Sequence, residues 1–472
     1  MHQSKLIALL RKLSTRQLNR FGDFLQSPYY NKSKENCLFF GYLSGFAPSF
    51  DGPGLEKKAV MKANPTEAKL DDQALAYRMS ELMQLLEQFL SVEYLKENPL
   101  EEQWALMETY SRLGLDKHYN TARKRSRKFL KKYPFRDAAF LQAKYRLAEM
   151  ENRNAPQYER RHREELQRAA DALDRAYLME KLRYSLEMVN SAQMLDIHYD
   201  LQLGDPVLRW LQEKPLPDAP GVGIYLYALL MLQQPEEQEH YRKLYGLLRE
   251  NEALLPPEEL KNLYTYLLNY CTRRINRYRD KAYYGHFLDI NLALIDKGLL
   301  LENGALAPWR YSNLVTVGLV TGRLEWAHQF LEEYKSLLPE AFRENIYNYN
   351  RAHYLYYTKE YEEAQVILNQ LGLQDLLLAI AAKNLLAKIY YETGQTELLL
   401  SFLEAYRIYI YRQDLAKPRL KQQARNFIDV IRKLAKLAPF EAEKRKALAD
   451  NLPPGAEILE RDWLLRMMGG TQ

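Results

Sequence analysis

Apolar residues recur every three or four positions along almost the whole of this 472-residue chain, and no convincing stretch alternates apolar with polar side chains as a half-buried strand would. That pattern predicts an all-α protein built by packing helix on helix. Ser14-Thr15-Arg16-Gln17 has the spacing of a capping box, in which the Ser hydroxyl and the Gln amide satisfy free backbone N–H groups. Leu18, Phe21, Phe24 and Leu25 then share one helical face, and Ser27-Pro28 ends the helix, because the residue before proline is pushed out of the helical region. The stretch from Phe46 to Pro65, with three prolines and two glycines, reads as loop with at most one short helix. Asp71 is placed to cap a helix whose apolar face runs Leu75, Met79, Leu82, Leu86 and Phe89.

These signals divide the chain into four regions. Residues 1–95 read as a small N-terminal helical domain, and residues 100–211 as long helices rich in Arg, Glu and Leu. The stretch from Gly204 to Gly223 holds four prolines and is the expected boundary. Helices resume at Ile224 and fill 223–440. Residues 441–472 carry a last short helix around Trp463, expected to dock back as a cap, and an end expected to fray.

Within 223–440 a longer period emerges. Tyr311, Leu314, Gly322, Ala327, Leu331 and Pro339 resemble the key positions of a tetratricopeptide repeat, with Gly318 departing from the usual Tyr. A looser copy holds Ala352, Leu355, Tyr361, Ala364 and Leu368, and a third holds Leu386, Ala387, Tyr390, Gly394, Leu399 and Leu403. Ala327, Ala364 and Leu399 are 37 and 35 residues apart, both longer than the ~34 of a regular repeat, so the array is degenerate. Weaker echoes surround Gly114 and span Leu260 to Leu300. The resemblance implies an irregular superhelix of stacked hairpins. The whole chain also resembles a group of bacterial helical-repeat proteins without an assigned activity, through Ser27-Pro28-Tyr29-Tyr30-Asn31, Glu180-Lys181-Leu182-Arg183-Tyr184 and Lys388-Ile389-Tyr390-Tyr391-Glu392.

Composition narrows the function. Two cysteines, Cys37 and Cys271, rule out a disulfide framework and a Cys-rich zinc module, and are expected to be reduced thiols. The eight histidines are scattered, with no pair at the spacing of a helical metal site. No Walker loop, dinucleotide fingerprint or nucleophile elbow occurs, so no catalytic residue, cofactor or metal is expected. The longest apolar run, Ile224 to Leu232, is nine residues, against ~18 for a membrane span. With an N-terminus lacking a signal-peptide layout, this points to a cytoplasmic protein without a membrane partner.

Two binding surfaces remain. The hairpin register places Ser312, Thr316 and Leu319 on the concave face of the first hairpin, Tyr349, His353 and Tyr356 on that of the second, and Asn384, Lys388 and Tyr391 on that of the third. Such amide, hydroxyl, ammonium and aromatic groups suit a protein or peptide segment, making a non-enzymatic interaction scaffold the leading reading. Ordinary solvent-facing positions with Tyr packed between repeats would give the same pattern. Thirty-six Tyr against sixteen Phe fits either a groove or an inter-helix seam.

The alternative rests on charge. Between Arg112 and Arg136 ten Lys or Arg face a single acid, Asp116, whereas the rest of the chain is net −3 within a total of +6. Arg123, Arg127 and Lys131 share one helical stripe, with Lys124 and Lys128 beside it, a ridge able to bind nucleic-acid phosphates. Internal pairing with acidic helices, or plain solvation, would account for the same residues.

Overall fold

The computed structural model describes residues 1–63, 65–66, 70–155, 160–195, 197–202, 204–278, 280–301, 304–372, 375–413, 418–438, 440–454 and 457–469. Among them are twenty-three α-helices and no strand. They form two compact units, Met1–Lys181 and Leu182–Gln472.

The first unit opens with α1 (Lys5–Leu10), α2 (Thr15–Leu25), α3 (Lys34–Ser44), α4 (Lys57–Ala63) and α5 (Asp72–Glu97). Local chemistry sets these limits. Ser14 and Gln17 form the capping box of α2, and the Asp71 carboxylate accepts from Ala74 N at 2.8 Å to start α5. Their apolar faces converge on Phe21, whose ring meets Phe40 edge-on at 4.8 Å and Phe89 at 5.4 Å. Next come α6 (Pro99–Arg112), α7 (Asp116–Lys132) and α8 (Ala138–Arg153), which bury Trp104, Met107, Tyr119, Leu130 and Met150 together. Ala148 on α8 meets Ala169 and Ala172 on α9 (Arg160–Leu195), where small side chains allow close approach.

The second unit begins within α9, at Leu182. The proline-rich stretch lies further on, where it separates α10 (Gly204–Glu213) from α11 (Pro220–Gln233), so the division into units falls elsewhere than in that stretch. The nine-residue apolar run lies in α11, which is buried around nearly its whole circumference. There follow α12 (Gln238–Asn251), α13 (Pro257–Tyr278), α14 (Ala282–Asp296), α15 (Pro308–Val320), α16 (Leu324–Tyr334), α17 (Arg343–Thr358), α18 (Tyr361–Gln370), α19 (Leu376–Glu392) and α20 (Thr396–Tyr411). The chain closes with α21 (Pro418–Ala435), α22 (Ala442–Asp450) and α23 (Arg461–Met467).

Three successive pairs, α15–α16, α17–α18 and α19–α20, pack as helix hairpins, and α17 packs against both α15 and α19. Each hairpin closes through the same turn. Gly322 (φ +74°), Lys359 (φ +68°) and Gly394 (φ +71°) adopt the left-handed conformation. The next residue then donates its N–H to the carbonyl five positions back: Arg323 to Gly318 at 2.9 Å, Glu360 to Leu355 at 2.8 Å and Gln395 to Tyr390 at 2.9 Å. The same bond follows Gly114, from Leu115 to Tyr110, and Gly298, from Leu299 to Leu294. Ala327, Ala364 and Leu399 are all fully buried at the seam of their hairpins. Gly318 admits the ring of Trp326, which would lie 2.9 Å from an added Cβ.

Four of these five turns use glycine, and Lys359 alone bears a side chain in a conformation that costs an L-residue about 1–2 kcal/mol. Lys359 is exposed, so its side chain contributes little packing to offset this. Lys359→Gly is expected to stabilise the second unit by up to about 1 kcal/mol, after the greater unfolded-state entropy of glycine is deducted. A higher midpoint in urea unfolding checks this.

Candidate functional site

Lys388 is buried on α19 and its Nζ lies 2.8 Å from Glu460, the residue that opens α23. Four residues on, at the same face, the Glu392 carboxylate accepts from three donors. These are Trp463 Nε1 at 2.6 Å, the Tyr361 hydroxyl at 2.8 Å, and the Tyr356 hydroxyl. Trp463 stands edge-on to Tyr391 at 5.5 Å and near Phe427 of α21 at 6.4 Å. Ile458, Trp463, Leu464 and Met468 are all buried in one core with residues of α17, α19 and α21. Backbone groups complete the seat: Asn426 Nδ2 donates to Glu457 O at 2.7 Å, and Arg445 Nη1 to Met467 O at 3.0 Å. The face assigned to a binding partner therefore holds a segment of this chain, residues 457–468.

The other expected residues divide between linking helices and meeting this segment. The Ser312 hydroxyl accepts from Asn350 Nδ2 at 2.9 Å, a bond between α15 and α17. Thr316 is partly buried, and Leu319 is a core residue at 2% exposure rather than a surface one. Asn384 is buried and accepts from the Tyr406 hydroxyl at 2.9 Å, within its own hairpin. Tyr356 is buried too, with the Lys388 ammonium 5.2 Å from its ring centroid. Tyr349, His353 and Tyr391 are partly buried, and the His353 ring is 6.0 Å from that of Tyr349 and 5.4 Å from that of Tyr357.

Glu392 and Glu460 are the functional residues that sequence reasoning missed. Glu392 follows Lys388 by one helical turn, so the pattern places it on the same stripe. Glu460 is 72 positions from Lys388 and has no local signal.

Electrostatics here follow from burial. Burial would raise the Glu460 carboxyl, but the attraction and hydrogen bond of Lys388, with help from His353 and Asn384, hold it below the usual carboxylate range. His353 is pushed down to about 4, first by burial and then by the Lys388 ammonium, against the opposing pull of Glu460. Its Nδ1 is buried without a hydrogen-bond partner among the described residues.

Most buried tyrosines sit in seams between helices. Tyr225 donates to Glu259 at 2.8 Å, Tyr347 to Glu332 at 2.7 Å, and Tyr311 to the Leu331 carbonyl at 2.8 Å. Burial, then the bond to Glu332, pushes the Tyr347 hydroxyl up to about 12, so it remains a donor. Cys271 is buried and its thiol is likewise pushed up to about 12 by burial, which leaves it a poor nucleophile.

In the first unit, the basic segment forms α7 and the turn after it. Arg127 does not project free: its Nε and Nη2 each lie 2.7 Å from the buried Glu151 carboxylate of α8, a bidentate pair. Arg168 of α9 approaches the same carboxylate at 3.6 Å and Glu165 at 2.7 Å. Arg123 is partly buried, whereas Lys124, Lys128 and Lys131 are exposed and make no ion pair among the described residues.

Among the described residues no group of His, Cys, Asp and Glu could hold a metal ion, and no helix is long and apolar enough to cross a membrane. Comparison of the chain with protein-family models, curated proteins and solved structures finds no match.

The shift on His353 makes the second unit pH-dependent. A folded-state pKa near 4 against about 6.5 in the unfolded chain means that the unfolded state binds the extra proton first. The stabilisation is full above pH 6.5 and is lost as pH falls toward 4; Glu460, held below the usual carboxylate range, adds its own loss at lower pH. Urea unfolding at pH 7.5 and pH 5 is expected to give a lower midpoint at pH 5, with a smaller difference in His353→Gln.

Proposed function

We propose that this chain is a non-enzymatic, cytoplasmic interaction scaffold, whose tetratricopeptide-like hairpins bind a protein segment on the concave face made by α15, α17 and α19. One observation supports the reading: α17 and α19 already engage a peptide segment, residues 457–468 of the chain itself, through side-chain chemistry suited to recognition. Lys388 offers a largely dehydrated cation for a carboxylate. Glu392 offers an acceptor for an indole or another N–H donor, and the Tyr391–Phe427 region seats an aromatic ring. A partner segment would carry an acid followed, one helical turn later, by a large aromatic residue, as Glu460 and Trp463 do. It would compete with the C-terminal segment for the same face.

The test uses the full chain with its own segment weakened. Trp463→Ala removes a buried indole worth about 3–5 kcal/mol, enough to release much of the segment's hold. A labelled peptide of residues 457–468 is then titrated by fluorescence anisotropy. Saturable binding to the Trp463→Ala chain, much weaker binding to the unaltered chain, and at least tenfold weakening when Lys388→Met is added are the expected results. Failure of the peptide to bind a Trp463→Ala chain whose circular dichroism is unchanged overturns the reading.

A further inference from the structure

The first unit holds an open cleft of about 410 Å³ beside α7. Its floor is aliphatic, from Leu130 of α7, Leu147 and Ala148 of α8 and Ala172 of α9. Its walls carry five cations, Arg127, Lys131, Arg136, Lys144 and Arg168, against one carboxylate, Glu151. That carboxylate is consumed by Arg127 and approached by Arg168. Arg136 lies with its guanidinium carbon 4.3 Å from the Phe140 ring centroid, held by the carbonyls of Tyr133 and Phe135, which leave its charge uncompensated. Lys131 and Lys144 are exposed and make no ion pair among the described residues.

Lys131 is also the last residue of an exposed stripe on α7, Lys124, Lys128 and Lys131. At 1.5 Å per residue these cations stand about 6 Å and about 4.5 Å apart along the helix, a regular row that runs into the mouth of the cleft. A free phosphate would leave the aliphatic floor unused, and a small apolar anion would leave the row unused. A duplex would present phosphates to the row but keep its bases stacked away from the floor. A flexible chain with evenly repeated anions and flat side groups whose faces are apolar uses both.

We propose that the cleft and the α7 row form a binding site for single-stranded nucleic acid, with the phosphates following Lys124, Lys128 and Lys131 and one base entering the cleft beneath Arg136. Binding is sequence-tolerant, because the floor has no hydrogen-bonding groups with which to read a base edge. The site lies wholly in the first unit and is independent of the face on α15, α17 and α19.

The test is fluorescence anisotropy of the full chain with labelled 16-nucleotide oligo-dT and oligo-U, each measured from 20 to 200 mM salt. Binding at low salt should weaken with a log–log slope of about −0.7 for each phosphate neutralised. The paired change Lys128→Ala and Lys131→Ala, at exposed positions, is expected to flatten that slope by about 1.4 and leave the circular dichroism intact. Lys388→Met is expected to have no effect. A 16-base-pair duplex should bind at least tenfold more weakly than the single strand. No binding at 20 mM salt, or a slope unmoved by the paired change, overturns the proposal. Equal affinity for duplex, for polyglutamate or for vesicles of anionic lipid also overturns it, since each would reduce the site to a general polyanion surface.

Discussion

A carboxylate taken out of bulk water costs several kcal/mol unless donors replace the lost hydration, and Glu392 is supplied with three. The donors come from α17, from the start of α18 and from α23, so one acid on α19 holds four elements in register. The same device recurs with fewer donors at three further places in the second unit: Tyr225 on Glu259, Tyr347 on Glu332, Tyr264 on Glu252. This explains the excess of Tyr over Phe. The ring fills the seam as Phe would, and the hydroxyl tethers one helix to an acid on another element at a fixed distance.

Local chemistry was legible in the sequence because its causes are local. The cap at Ser14, the cap at Asp71 and the turns at Gly114, Gly322 and Gly394 each depend on residues within one or two turns of helix. The turn at Lys359 was not legible, because lysine has no preference for a left-handed backbone. There the geometry is imposed by the two helices it joins and by the Leu355 carbonyl waiting for an N–H. The hairpin register grouped residues by the helical period, but Leu319 lies in the core and Asn384 is buried against Tyr406 of its own hairpin. The register carried no information on what covers the face, and Lys388 proved to be buried by a residue 72 positions away. The hydroxyl partners of the tyrosines were also out of reach. Asn and Arg lie close by in sequence, but the helices bring Glu.

The basic segment illustrates the same limit in the opposite direction. Counting charges along α7 located an excess of cations, and helical geometry sorted them into stripes. Which stripe stays free depends on α8 and α9. Glu151 is buried between them and takes Arg127, so the stripe of Arg123, Arg127 and Lys131 is interrupted, while the adjacent Lys124, Lys128 and Lys131 remain open to solvent. Similarly, the proline-rich stretch at 204–223 ends helices as proline must. The compact units nonetheless part within α9, because a long helix can give its first half to one core and its second half to another without any break in its own hydrogen bonding.

The two surfaces differ in what solvent does to them. Lys388 and Glu460 are 10% and 30% exposed at their side chains, so salt screens their attraction weakly, and the C-terminal segment is held there chiefly by apolar burial around Trp463. A competitor of the proposed kind would have to match shape before charge, which would favour selectivity and slow exchange. Lys124, Lys128 and Lys131 of α7 are open to water, and screening acts on them in full. Their contribution depends on ionic strength and on the number of anions engaged at once, which favours fast, length-dependent association. Were both proposed surfaces occupied, one partner would be held by buried contacts and a polyanion by reversible ones, because the residues of each lie in separate compact units and share no ionisable group.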